Sequence, residues 1–139
     1  MNKGLIAAVA AAVGFLPFAA LAEDPPELTV SNTTSYPVHV EVDGHACDLK
    51  AAAPKGSEDD VGDCNYGPDV EDCKAISDLG SADICVQLDL SAPDHTVVVT
   101  VNGVKLTKTA HLSRNQEGNM TAACFISTAT DNALTLICA

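Results

Sequence analysis

Six cysteines, Cys47, Cys64, Cys73, Cys85, Cys124 and Cys138, have the most definite chemistry in this 139-residue chain. In an oxidising compartment, an even set of thiols in a small protein pairs into disulfides. In the cytosol the same residues more often bind metal or exchange electrons. Spacing decides between these readings. No Cys-x-x-Cys is present, so neither the paired ligands of a zinc module nor the thiol-exchange motif can be assembled locally. Structural disulfides are expected. One pairing follows from strand geometry: if Ala129 to Ala133 is a five-residue turn, Thr128 faces Leu134, Ile126 faces Leu136 and Cys124 faces Cys138. Directly opposed antiparallel residues have Cα atoms about 4.5–5.5 Å apart, within reach of a disulfide. For the other four, Cys47–Cys64 with Cys73–Cys85 is preferred to Cys64–Cys73 with Cys47–Cys85. Either arrangement ties the acidic middle of the chain to the rest.

That acidic stretch, Pro54 to Asp83, holds nine carboxylates and only two basic residues, Lys55 and Lys74. Its candidate binding residues are Glu58, Asp59, Asp60, Asp63, Asp69, Glu71 and Asp72. Oxygen-bearing side chains alternate from Asp63 to Asp72, as they do in calcium loops, where a hard cation needs about six to eight oxygens on a turning backbone. The match fails at its strictest points. Pro68 stands where an EF-hand requires Gly, and Lys74 stands where it requires a bidentate Glu. A solvated acidic loop is the better reading, attractive to a basic partner.

Two smaller constellations remain. His39, Glu41 and Asp48 fall on the outward face of an expected hairpin, where one imidazole and two carboxylates suit Zn²⁺ or Cu²⁺; His45 lies on the other face. Surface ion pairing is the plainer reading of that trio. Ser91, Asp94 and His95 follow one another closely but sit in a turn, without the oriented base that nucleophilic catalysis needs. No Gly-x-Ser-x-Gly, phosphate loop or His-Glu-x-x-His occurs. A small domain with few aromatics also has little with which to line a substrate pocket. The chain is expected not to be an enzyme and to need no cofactor.

The elements that position these residues begin after residue 22. Lys3, the apolar run Leu5 to Leu16, Pro17 and Ala20-Leu21-Ala22 form an export signal with a small-x-small cleavage site before Glu23. The leader is bacterial in style, so the sequons at Asn32 and Asn119 are taken as chance. Cleavage leaves 117 residues, one domain's worth. Lys3 leaves with the signal, so 19 acidic side chains face six basic ones, a formal charge of −13. Nucleic acid and anionic lipid both need a cationic surface, so neither is an expected partner. No later stretch is apolar enough to cross a bilayer.

Beyond the leader the dominant periodicity is two. Val38, Val40 and Val42 alternate with polar residues up to Asp43-Gly44, and His45 to Leu49 returns. Val97, Val99 and Val101 lead to Asn102-Gly103, and Val104 to Thr107 returns. Asp-Gly and Asn-Gly between alternating runs are strong hairpin signals. The two hairpins match position for position in character, and a cysteine follows each (Cys64 and Cys124), as in a degenerate repeat. Ile84 to Leu90, Thr121 to Thr128 and Leu134 to Cys138 complete about seven strands. Glu23 to Glu27 reads as an extended leader, and Asp72 to Leu79 as a short helical segment. The expected fold is all-β, a small disulfide-stabilised antiparallel β-sandwich or barrel with a long acidic loop.

Function follows by exclusion. The chain is expected to be a secreted or periplasmic, non-catalytic binding module that engages a basic protein partner through the acidic loop. One alternative is a small divalent-cation binder (Ca²⁺, Zn²⁺ or Cu²⁺). Another is a structural surface or assembly subunit that uses its edge strands or the Glu23 to Thr29 arm for strand addition.

Overall fold

The structure, a computed structural model, describes residues 24–51, 62–69, 83–129 and 131–139. Among the described residues there are ten strands: β1 (Glu27–Asn32), β2 (Val38–Val42), β3 (His45–Leu49), β4 (Asp63–Gly67), β5 (Ile84–Gln87), β6 (Asp94–Val101), β7 (Val104–His111), β8 (Ser113–Arg114), β9 (Met120–Thr128) and β10 (Leu134–Cys138). They form two sheets, and neither closes on itself. The expected export signal, residues 1–22, and the short helical segment expected at Asp72 to Leu79 lie outside the described residues.

The four-stranded sheet, β3-β2-β6-β7, is antiparallel throughout and is made of the two expected hairpins. Their turns need φ > 0 at both central residues. Asp43 and Gly44 have φ of 50° and 83°; Asn102 and Gly103 have 50° and 81°. Short polar side chains tolerate the first position and glycine the second. The register makes the repeat visible in space, because Val40 pairs with Val99, its own counterpart in the repeated pattern. The two hairpins therefore lie about a local two-fold axis between β2 and β6. All six alternating valines of these strands point inward and are at most 3% exposed.

The second sheet, β10-β9-β1-β4-β5 with β8 alongside β9, departs from expectation. It is mixed rather than antiparallel: β1 runs parallel to β9, and β4 runs parallel to β5. Its central strand, β1, starts at the end of the segment read as an extended leader. Leu28 and Val30 are fully buried between β9 and β4; Leu28 and Thr29 are already paired on both sides and Glu27 with β9, so these three residues are not a free arm. The repeat continues here, since Val30 is flanked by Cys64 on one side and Cys124 on the other.

β4 lies inside the stretch expected to be loop. Cys64 and Tyr66 are its inward residues, and both are buried. Gly67 closes the strand where a Cβ would come within 3.1 Å of the Pro26 carbonyl oxygen, a crowded approach that glycine accommodates without a shift. β5 is shorter than expected. Of the alternating residues Ile84, Val86, Leu88 and Leu90, Ile84 is 37% exposed, Val86 packs partly against the core, and Leu88 and Leu90 beyond the strand are buried.

One buried cluster draws on both sheets, with Leu28, Val30, Tyr66, Ile126 and Leu136 from the mixed sheet and the valines and Leu49 from the other. Burial of aliphatic surface at about 25 cal/mol per Å² drives this association. Cys47 to Cys64 crosses from β3 to β4 and joins the sheets covalently, with Cα atoms 6.3 Å apart. Cys124 and Cys138 are opposed in the expected register, together with Ile126–Leu136 and Thr128–Leu134, and are joined at a Cα separation of 4.0 Å.

Asn32 ends β1 with its side chain inside, 0% exposed. Its amide donates to the carbonyl oxygens of Tyr36 (2.7 Å) and Lys50 (2.9 Å). Its Oδ1 accepts from the backbone N–H (2.9 Å) and hydroxyl (2.7 Å) of Thr34. The sequon at Asn32 is thus closed to modification in the folded protein.

Candidate functional site

The acidic segment is divided by a strand. Asp63 opens β4 opposite Ser31 of β1, and Asp69 follows β4 in an exposed position. Glu58, Asp59, Asp60, Glu71, Asp72 and Cys73 lie outside the described residues. Because β4 and β5 are parallel with Cys64 level with Ile84, the residues preceding that pair, Asp63 and Asp83, reach the same end of the sheet. Two fixed points, Cys64 and Cys85, bracket the second part of the segment. Cys64 is bonded to Cys47, and Cys85, which pairs in register with outward-facing Asn65, is also disulfide-bonded. The backbone from Asp63 to Gly67 is extended between two neighbouring strands. It does not turn as the first half of a calcium loop must.

The His39 trio does assemble, as a cross-strand ion-pair cluster. His39 lies opposite Asp48, with Nδ1 2.6 Å from Oδ1 of Asp48, and its Nε2 is 3.6 Å from Oε2 of Glu41. The two carboxylates occupy opposite edges of the ring, so no single ring nitrogen shares a position with both. Among the described residues no group of three or more His, Cys, Asp or Glu has the geometry to hold a metal ion. The Asp48 hydrogen bond outweighs the opposing effect of partial burial and, with the charges of Asp48 and Glu41, raises the His39 pKa above 6.5.

A raised folded-state pKa means that this pair stabilises the fold fully below the unfolded value of 6.5. The contribution is lost as pH rises through the higher folded value. The cluster is almost half exposed, so Asp48→Asn is expected to bring the His39 titration back toward 6.5 while changing stability by less than about 1 kcal/mol. NMR titration of the His39 ring with urea unfolding on either side of neutrality checks both.

A second carboxylate–imidazole pair was not expected from the sequence. His95 is not in a loop but in β6, 3% exposed. Its Nδ1 lies 2.6 Å from Oδ2 of Asp43, and its Nε2 lies 2.7 Å from the Ala92 carbonyl oxygen. Asp43 also accepts the Thr96 backbone N–H at Oδ1 (2.9 Å), and its own N–H donates to the Thr96 carbonyl (3.0 Å). Burial pushes the Asp43 carboxyl upward, but the His95 and Thr96 hydrogen bonds and the nearby imidazole charge together hold it below the usual carboxylate range. Ser91 gives its backbone N–H to Asp89 and does not meet the ring. Among the described residues the ring partners of His95 are Asp43 and the Ala92 carbonyl, neither of them the hydroxyl or thiol a catalytic triad would activate.

A third pair, His111 Nδ1 to Asp94 Oδ1 at 2.6 Å, bridges β7 and β6. Each neighbouring pair of strands in the antiparallel sheet thus carries, at its side or end, one histidine–aspartate contact. The chain matches no protein-family model, no curated protein and no solved structure. Among the exposed apolar side chains, Phe125 and Ile137 are cross-strand neighbours on the outer face of the mixed sheet, 46% and 58% exposed. Among the described residues no helix is long and apolar enough to cross a membrane.

Proposed function

We propose that the mature chain is an exported, non-catalytic binding module, a disulfide-held β-sandwich that engages a basic protein partner through its acidic segment. The observation that carries this reading is the mounting of that segment. Nine carboxylates between residues 54 and 83 are attached to the two-sheet frame through β4, through Cys47–Cys64 and through the disulfide-bonded Cys85. Anchored like charges focus a local potential and raise the encounter rate with a cationic surface. Disulfides form and persist in oxidising compartments, which supports export to the periplasm or beyond. The histidine with an aspartate partner inside the fold has both ring nitrogens engaged by acceptors, which favours binding over catalysis.

The test compares oxidised mature protein with the Glu58→Gln/Asp59→Asn/Asp60→Asn variant as baits for the proteins exported alongside it. Basic partners captured by the wild type are expected to be lost by the variant and by washing at about 1 M salt, where the Debye length is near 3 Å. Capture that persists under both conditions overturns the reading. Stoichiometric uptake of Ca²⁺, Zn²⁺ or Cu²⁺ in equilibrium dialysis would replace it with cation binding, and concentration-dependent self-association in sedimentation would replace it with assembly.

A further inference from the structure

A two-residue turn fixes which backbone groups of a hairpin are used. The residues flanking it exchange hydrogen bonds, and every second pair along the strands does the same. In the β6–β7 hairpin these pairs are Val101–Val104, Val99–Leu106, Val97–Lys108 and His95–Ala110. The Leu112 N–H, which donates to the Pro93 carbonyl (2.8 Å), continues the same phase. The backbone N–H and C=O groups of Lys105, Thr107, Thr109 and His111 therefore point away from β6. β7 is the last strand of its sheet, so among the described residues no strand receives them. All four residues are exposed.

The other sheet ends are less open. β3, β5 and β10 have five, four and five residues against eight in β7. β3 is tied to β4 through Cys47–Cys64, and its His45 carbonyl accepts the Tyr66 hydroxyl (2.8 Å). β5 carries the disulfide-bonded Cys85, and Leu136 in the middle of β10 is 5% exposed. Along β7 even the inward face is incompletely covered. Val104 is 48% exposed, Leu106 is partly buried, and Lys108 is exposed although it pairs with fully buried Val97.

Charge decides what such an edge accepts. From His95 to Gln116 the chain has no carboxylate, while Lys105, Lys108 and Arg114 are half of the six basic residues that follow the export signal. Lys105 and Lys108 lie on opposite faces of β7, and neither is ion-paired among the described residues. Asp94, across from the end of β7, is engaged by His111 at 2.6 Å. β4, which anchors the acidic segment, is bonded to β3, and β3 lies three strand spacings from β7. That is about 14 Å, beyond the Debye length of about 8 Å at physiological salt. Lysine on an exposed edge blunts pairing with basic or neutral strands, whereas opposite charges across a strand pair attract.

We propose that β7 is a second docking surface, which takes an acidic extended peptide as an added strand. The partner's backbone continues the ladder at Lys105, Thr107, Thr109 and His111. Its apolar residues extend the row of Val104 and Leu106, and its carboxylates meet the two ammonium groups. This surface is separate from the acidic segment and is independent of what that segment binds.

The test adds a blocked peptide of alternating valine and glutamate, about eight residues long to match β7, to ¹⁵N-labelled oxidised mature protein at neutral pH. Amide exchange is then read residue by residue. The Lys105, Thr107, Thr109 and His111 amides are expected to gain about tenfold or more in protection. The Leu106 and Lys108 amides, already bonded to β6, should change less. Of two peptides N-methylated at either the valines or the glutamates, one should lose binding and the other keep it, because an added strand uses only alternate amides. Lys105→Gln/Lys108→Gln should weaken binding by about threefold or more, and a peptide with lysine in place of glutamate should not bind. Three results overturn the proposal: no protection of these four amides at millimolar peptide, binding indifferent to both methylation patterns, or amides already slow without peptide because a second copy holds the edge.

Discussion

Reduction of the mature protein is expected to unfold it. Cys47–Cys64 and Cys124–Cys138 close segments of 17 and 14 residues. In the chain-entropy account each restricts the unfolded chain by about 3 kcal/mol. Two such bridges approach the whole stability of an ordinary domain, about 5–15 kcal/mol. Little else compensates: from Glu23 onward the chain has no tryptophan, a single phenylalanine (Phe125) and an excess of negative charge. The buried cluster consists largely of valine, leucine, isoleucine, alanine and cysteine. Position matters as well as number, because Cys47–Cys64 is the covalent tie between the two sheets. Thermal unfolding with and without dithiothreitol checks this. The expected fall in Tm is some tens of degrees, at about 4 °C or more per kcal/mol. The Cys124→Ala/Cys138→Ala variant, which loosens only β10, should lose less than half as much stability as full reduction, which also opens Cys47–Cys64 and the bridge at Cys85. A melting curve indifferent to reductant would contradict the assignment of these bridges as the main staples.

The second large effect is expected at Asn32. All four hydrogen-bonding positions of its amide are occupied in a fully buried site, by Thr34 twice and by the Tyr36 and Lys50 carbonyls. Asn32→Ala leaves the Thr34 N–H and the Lys50 carbonyl without their partner, while the Thr34 hydroxyl and the Tyr36 carbonyl keep their 3.2 Å contact with each other. At about 1 kcal/mol or more for each group left unsatisfied, the loss should reach about 2 kcal/mol. Asn32→Asp should be worse. It keeps the acceptor toward Thr34 but turns a second oxygen, with a negative charge, toward two carbonyls. Urea unfolding separates these outcomes. An Asn32→Ala protein within about 0.5 kcal/mol of wild type would show that water fills the site, and the order Asp worse than Ala would lose its basis.

The parts legible in the sequence were those whose information is local. Asp43-Gly44 and Asn102-Gly103 announce their turns by residue type, so both hairpins and their inward valines could be read directly. The same holds for Cys124–Cys138, because the turn at residues 129–133 fixes which residues oppose one another. The missed elements depend on distant partners. β1 has inward residues Leu28, Val30 and Asn32, and the polar third member breaks an alternation already shortened by Pro25 and Pro26. β4 presents only Cys64 and Tyr66 inward, between acids and a Gly-Pro pair that signal loop. Both strands exist because β9 and β5 supply their pairing, which no short window contains.

The site shows the same division. His39, Glu41 and Asp48 were placed together from hairpin register alone, and the structure brings them together. His95 was read as a turn residue because Pro93-Asp94 precedes it. Its partner Asp43 lies 52 positions away and becomes adjacent only when β2 is known to pair with β6. The repeat held the clue, since aligning the hairpins through Val40 and Val99 brings Asp43 beside Thr96. The acidic residues were legible as chemistry, while the strand that divides them was not.

Exposing the native, exported chain to an alkylating agent and digesting it without reduction tests the account most directly. Every cysteine should escape modification, with the Cys47 peptide covalently joined to that of Cys64 and the Cys124 peptide to that of Cys138. Alkylated cysteines on the folded, exported form, or Cys124 crosslinked to any residue but Cys138, would contradict it.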